Sequence, residues 1–157
     1  MQSVGIRLVT ESDWPSVDAL LLEWLNLRKR RNSVFNDALR KTELIVAEQD
    51  GVIAGFIHYV LHNDIIDGGP NAFITAWYVR RDRRRRGIGS KLLRKAIEEA
   101  IRKGAVGIET STTNPEARRL YERHGFKQFN GEIFLEMDMT KATKASRQSN
   151  NEGNRRF

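Results

Sequence analysis

Arg84, Arg85 and Arg86 stand directly before Gly87-Ile88-Gly89-Ser90, and an apolar helix-forming stretch follows at once. Guanidinium groups offer charge and fork-shaped donors suited to phosphate. Gly87 and Gly89 let the backbone approach an anion closely. The first N–H groups of a helix have no intrahelical partner, and the dipole favours negative charge there. The natural ligand of such a cradle is a diphosphate. The plainer alternative is a tight strand-to-helix turn with a solvated basic face. Other phosphate signatures fail on spacing. No Gly-x-x-x-x-Gly-Lys-Ser/Thr run occurs, and position 92, where a dinucleotide fingerprint needs its third glycine, is Leu.

The elements that must hold these residues are legible. Residues 73–79, Phe-Ile-Thr-Ala-Trp-Tyr-Val, are aromatic and β-branched and predict a buried strand. Leu92, Leu93, Ala96, Ile97, Ala100 and Ile101 recur as one helical stripe. Glu98 with Arg102 and Glu99 with Lys103 are spaced as i, i+4 pairs, and Gly104 sits at the C-terminal cap. Residues 105–111 alternate as a further strand. Asn114-Pro115 then opens a short helix, Asn as cap and Pro in the first turn. Ala117, Leu120, Tyr121 and His124 form its apolar stripe, and Gly125 ends it. That stripe directs Tyr121 inward, beside the sheet edge that carries the cradle.

Arg84-Arg85-Arg86-Gly87-Ile88-Gly89 resembles the Gln/Arg-x-x-Gly-x-Gly/Ala signature of the GNAT superfamily of N-acetyltransferases. Residues 114–126, from Asn114-Pro115-Glu116-Ala117 through Leu120-Tyr121 to Gly125-Phe126, resemble its second motif, Asn-x-x-Ala-x-x-Leu-Tyr-x-x-x-Gly-Phe. The two stand in order at the family's separation, and the resemblance spans about residues 4–139. It implies an α/β (α+β) fold: a mixed, mostly antiparallel sheet flanked by helices, with a splayed parallel pair of strands at the cofactor site. It implies acetyl transfer from acetyl-CoA to a primary amine of a small molecule, peptide or protein by direct attack. Trp77, Tyr78 and Val79 would hold the pantetheine arm through backbone groups, and a main-chain N–H near Val79 would polarise the acetyl carbonyl. Arg84, Arg85, Arg86, Gly87, Ile88, Gly89 and Ser90 would enclose the diphosphate, and Asn114 would contact the cofactor arm. Tyr121 would protonate the departing thiolate, since a phenol stays protonated at neutral pH.

Two departures stand out. Arg85 occupies a position often held by Gly. The central strand has neither Asp nor Glu near Thr75 or Ala76, where many members place a base. An alkyl ammonium, with a pKa of about 10.4, must lose a proton before attack. Glu109, Asp64, Asp67 and His58 are the candidates for assisting through water, with solvent as the alternative; the base is unassigned.

A chain of 157 residues suits one domain with a real core. We place it at 1–140, followed by a basic tail at 141–157 expected to be disordered. Cysteine is absent, which excludes disulfides and thiol nucleophiles and fits a reducing, cytoplasmic setting. No membrane span or signal pattern is expected. The net charge of +7 favours anionic partners, of which coenzyme A is one. Residues 4–9 predict a strand. Thr10 or Ser12 would cap a helix bearing Val17, Leu20, Leu21, Trp24 and Leu25 and closed by Arg28, Lys29, Arg30 and Arg31. Trp24 reads as core; the resemblance, whose members form the acceptor pocket partly from the helical region between the first two strands, makes Glu23 and Trp24 candidate acceptor contacts. A second short helix is expected over 33–39.

Residues 44–48 and 52–61 form a hairpin across Gln49-Asp50-Gly51. His58 and His62 share a face about 13 Å apart, too far for one ion, so no metal site is expected. Residues 63–71 read as a polar loop, and 126–128 and 133–139 as closing strands. Two rival functions remain: a non-catalytic acyl-CoA sensor of the same fold, and a basic nucleic-acid-binding module. No zinc pattern, helix-turn-helix signature or stacking motif supports specific nucleic-acid recognition. A homodimer is admissible, with oligomeric state left open.

Overall fold

The protein was analysed as a computed structural model that describes residues 3–28, 43–66 and 68–128. The helix expected over 33–39, Asp67, the strand expected over 133–139 and the tail from 141 lie outside the described residues. The described chain runs β1 (Gly5–Leu8), a 3-10 turn (Glu11–Asp13), α1 (Trp14–Leu25), β2 (Glu43–Gln49), β3 (Val52–Asp64) and β4 (Gly69–Val79). A second 3-10 turn (Arg81–Arg83), α2 (Ile88–Arg102), β5 (Gly107–Thr110) and α3 (Pro115–Arg123) follow. The strands form one sheet in the order β1-β2-β3-β4-β5. Its first three pairings are antiparallel, and β4 with β5 is parallel.

The hairpin between β2 and β3 turns on Asp50 at φ 57° and Gly51 at φ 73°. Positive φ at both central residues matches the right-handed twist of the strands, which is why Asp-Gly predicts it. The polar loop expected over 63–71 is a correction. β3 continues to Asp64 and β4 begins at Gly69, leaving a tip in which Asp64 Oδ1 accepts from Ile66 N at 2.8 Å. Asp64 therefore acts as a turn former. Residues 126–128 carry no strand.

One face of the sheet packs under α1. Val17, Leu20 and Leu21 meet Leu44, Val46, Ile53, Phe56 and Tyr78. The alternate residues Ile45, Ile57 and Tyr59 are also buried and take the other face, where α2 lies against β3, β2 and β4. From α2, Ile88, Leu92, Leu93, Ala96 and Ala100 are buried, but Ile101 is 67% exposed, at the rim of the expected stripe. The expected ion pairs differ as well. Glu99 is held by Lys95 at 2.9 Å and Arg102 at 2.6 Å, which lowers its pKa, while Lys103 reaches across to Glu43 of β2.

The end of α1 comes earlier than its sequence suggests. Asn26 takes a left-handed cap at φ 52°, so Arg28 lies past the helix; Lys29, Arg30 and Arg31 lie outside the described residues. Trp24 is 39% exposed and packs its ring on Tyr78 and Phe56, so it is a half-covered rim residue instead of full core.

Candidate active site

β4 and β5 pair only from Asn71 with Gly107 to Ile74 with Thr110. Beyond Ile74, β4 runs on through Thr75, Ala76, Trp77, Tyr78 and Val79 with no ladder partner on that side among the described residues. An unpaired strand edge of this kind offers backbone donors and acceptors to an extended ligand. The other edge of β4 stays paired with β3 but slips at this same point. His58 faces Ala76 while Tyr59 faces Ile74, leaving Thr75 as the extra residue of a β-bulge.

β4 leads through the second 3-10 turn into α2. Gly87 has φ 76° and a Cβ there would meet nothing within 4 Å, so its glycine serves the backbone angle alone. Gly89 is different. A Cβ there would lie 3.0 Å from Trp77 Cζ2 and 3.4 Å from Leu120 Cδ2, so its glycine makes room for the Trp77 indole. The first backbone bond of α2 is Lys91 N to Gly87 O at 3.1 Å, so the N–H groups of Ile88, Gly89 and Ser90 precede the helical ladder.

The arginines divide their work. Arg85 and Arg86 are exposed. Arg85 adopts φ 64°, a left-handed angle that accounts for glycine being common at this position. Arg84 turns back, its Nε donating to Val79 O at 2.9 Å and its guanidinium 5.1 Å from the centre of the Tyr78 ring. Arg83 pairs with Asp50 of the β2–β3 turn at 3.0 Å. Glu23 of α1 accepts from Tyr78 Oη at 2.8 Å and from Arg81 N at 3.2 Å, tying α1 to the loop. Burial first, and the bond to Glu23 second, raise the Tyr78 pKa.

Asn114 caps α3 through Oδ1, which accepts from Glu116 N at 2.9 Å and Ala117 N at 3.3 Å. Its side chain thus has a structural duty. Tyr121 is buried, as its place in the stripe predicts, with its ring 5.0 Å from that of Trp77 in an edge-to-face contact. Its hydroxyl lies 3.5 Å from Thr110 Oγ1, which donates to Ile74 O at 3.2 Å. Tyr121 therefore sits where β4 and β5 part. Burial raises its pKa against a smaller lowering by Thr110, which holds the phenol protonated.

Several site residues were not legible beforehand. His124 Nε2 is 2.9 Å from Ser90 Oγ and its Nδ1 is 2.9 Å from Leu120 O, tying the end of α3 to the start of α2. Thr110 gave no signal, because its partners come from β4 and α3. Trp77 Nε1 is buried without a hydrogen-bond partner among the described residues. Trp77 itself was expected at the cofactor through its backbone; the packing of its indole against Gly89 and Tyr121 was not foreseen. No group of three or more potential metal ligands occurs among the described residues, and no described helix is long and apolar enough to cross a membrane.

Comparison with known proteins gives this geometry a lineage. The pattern of the Acetyltransferase (GNAT) family matches residues 9–126. A curated acetyltransferase of Agrobacterium fabrum, Atu2258, is 43% identical over 54 residues, which is 34% of this chain and 39% of that relative's length. A transcriptional regulator from Bacillus halodurans superposes with a TM-score of 0.75 at 28% identity, covering 87% of this chain and 99% of the other. Two further folds are similar at lower identity. A ribosomal-protein-alanine N-acetyltransferase from Brucella melitensis has a TM-score of 0.70 at 21% identity, covering 86% of this chain and 99% of its own. An aminoglycoside N-acetyltransferase solved with CoA has a TM-score of 0.72 at 19% identity, covering 87% and 96%. With its family pattern spanning both glycine loop and Tyr121 helix, the chain belongs to the GNAT acetyltransferase family.

Proposed function

We propose that the protein transfers the acetyl group of acetyl-CoA to a primary amine by direct attack. The observation that carries this reading is the coincidence at one point of three features: β4 parts from β5 after Ile74, α2 begins just beyond β4, and the buried Tyr121 hydroxyl sits at the parting. The free edge of β4 at Trp77, Tyr78 and Val79 suits an amide-bearing arm. The leading N–H groups of α2, with exposed Arg85 and Arg86, suit a diphosphate. Arg84 serves this site by fastening the loop to Val79. The coenzyme supplies the activated acyl thioester; the protein binds it, orients it and supplies the proton for the leaving sulfur from Tyr121. The CoA complex of the aminoglycoside-acetylating neighbour supports coenzyme A as co-substrate. The catalytic domain on this reading is 1–140, with the tail at 141–157 outside it.

The test is coenzyme A thiol release with acetyl-CoA and a panel of amines and peptides. The chain has no cysteine to add a thiol background. Release dependent on one amine class establishes the reaction and its acceptor. Binding of acetyl-CoA without release favours the sensor reading. Tyr121→Phe is expected to lower kcat on the order of a hundredfold while leaving acetyl-CoA affinity within about twofold. Full activity in that variant would remove Tyr121 as the acid.

A further inference from the structure

We propose that Thr75 and His58 together take the proton of the acceptor ammonium, the exposed Thr75 hydroxyl receiving it while passing its own hydrogen to His58 Nδ1. This rests on the acetyl-transfer reading and supplies the base that β4 lacks.

The bulge is the first observation. Register between β3 and β4 slips between His58 and Tyr59, so Thr75 has no register partner in β3. Bulges re-aim side chains and recur beside active sites. Here the bulge follows Ile74, the last residue of β4 paired to β5, so the re-aimed side chain stands where the strands part.

The second observation is the pairing. Thr75 is exposed, and its Oγ1 is hydrogen-bonded to Nδ1 of half-buried His58 across the β3–β4 pair. His58 Nε2 is buried with no hydrogen-bond partner among the described residues. Among the described residues, Thr75 is the group through which an imidazole so placed would meet the substrate. Burial lowers the His58 pKa, opposed in smaller part by the charge of Glu43 from β2. Its neighbours across the sheet, Leu44 of β2 and Ala76 of β4, carry no charge. The lowered pKa favours the neutral imidazole, and the proposed proton transfer requires its Nε2–H tautomer, which would offer Thr75 the Nδ1 lone pair.

Third, the other proton group borders the same point. Tyr121 reaches Ile74 through Thr110, and Thr75 is the next residue of β4. Burial keeps the phenol protonated and the imidazole neutral, so one group can give a proton and the other accept one. The step balances. The ammonium loses a proton to Thr75 Oγ1 as Oγ1 loses its own to Nδ1, and nitrogen keeps the electron pair. That pair attacks the thioester carbon. The C–S bond breaks toward sulfur, which takes the Tyr121 proton, and the phenolate recovers a proton from the new amide nitrogen. The imidazolium returns its proton to solvent through Thr75. The sum is ammonium plus thioester giving amide, thiol and one proton.

The experiment uses the full chain and has two arms. In the first, nitrogen NMR of the ligand-free protein reads the three histidines, His58 being identified by its loss in His58→Gln. His58 is expected in the Nε2–H tautomer, charging only below the ordinary imidazole pKa of about 6.5, with its Nδ1 resonance displaced by Thr75→Val. An Nδ1–H tautomer, or titration at or above that value, overturns the proposal. In the second arm, kcat/KM is followed against pH with acetyl-CoA and the alkylamine identified by thiol release. His58→Gln and Thr75→Val are each expected to lose on the order of a hundredfold at pH 7, and the double variant no more than either alone. The deficit is expected to shrink as pH approaches the amine pKa of about 10.4, where the free amine needs no base. Thr75→Ser, which keeps the hydroxyl, retains activity. Loss by one factor at every pH, losses that multiply, or no loss overturns the proposal. Acetyl-CoA binding without turnover for any amine overturns the transfer reading and this role with it, while the NMR arm still reports whether the pair exists.

Discussion

Arg85 is the residue at which the glycine loop departs furthest from its family pattern, and its backbone shows the consequence. At φ 64° a side chain crowds the carbonyl of its own peptide, at a cost of roughly 1–2 kcal/mol. Glycine would relieve that strain but would free the unfolded chain by about 0.4–1 kcal/mol, so the terms nearly cancel. Arg85→Gly is therefore expected to move stability by less than about 1 kcal/mol. Arg85→Val, whose branched Cβ makes the same angle an outlier, is expected to cost about 1–2 kcal/mol. Urea unfolding of the three proteins checks the order; a Val variant as stable as the Gly variant would mean the loop does not hold this angle in solution. Local structure was legible at this scale wherever one short motif carried it. Tyr121 followed from its helical stripe, and Asn114 from its place before Pro115. Thr110, His124 and the Glu23–Tyr78 bond were hidden, because each joins elements far apart in sequence. Gly89 was legible as a loop glycine, but the Trp77 side chain of β4 against which it packs was not.

The entry into α1 is a second place where one element is held by distant ones. Asp13 accepts from Arg7 of β1 at 2.7 and 2.9 Å and from Thr10 N at 2.7 Å, while Arg7 also reaches Glu48 of β2 at 2.7 Å. The Arg7 guanidinium, ahead of the opposing burial, holds the Asp13 carboxyl well below the ordinary range. Its folded pKa lies below its unfolded one, so this contribution is complete above about pH 4 and fades as pH falls through the folded value. Asp13→Asn is expected to cost about 1.5 kcal/mol at pH 7, the low end for bonds to a charged group because Arg7 is partly exposed. The gap to the wild type is expected to close as pH falls below about 4; a gap unchanged at pH 2 would exclude the ionised carboxylate as its source. The β2–β3 hairpin and α2 were readable because period and turn chemistry agree, as at Asp50-Gly51, whereas the strand expected over 126–128 did not form. The length of the β3–β4 hairpin was not. Its polar residues 63, 64 and 71 resemble a loop, yet the sheet ladder pairs Asn63 with Pro70 and His62 with Asn71 and draws them into strands.

If the protein takes coenzyme A as proposed, the net charge of +7 across the whole chain would place a positive field around that anionic co-substrate. Exposed charges act over a Debye length of about 10 Å at 0.1 M salt and about 3 Å at 1 M, so the field fades with ionic strength. Contacts of the coenzyme with the leading N–H groups of α2 and with the free edge of β4, as proposed, would be short-ranged and would persist. Two parts of coenzyme A affinity should therefore separate. Raising salt from about 0.05 to 0.5 M is expected to weaken binding by about tenfold and to slow association more than it speeds dissociation. Replacing both exposed arginines, as Arg85→Gln with Arg86→Gln, should flatten that salt dependence and leave a residual affinity. Stopped-flow association and calorimetry over the salt series read both quantities. Affinity that vanishes at high salt would mean that charge alone binds the ligand, as a nucleic-acid-binding surface would. Affinity indifferent to salt would mean that the basic surface has no part in capturing coenzyme A. The intermediate result assigns capture to the surface charge and retention to the backbone between β4 and α2.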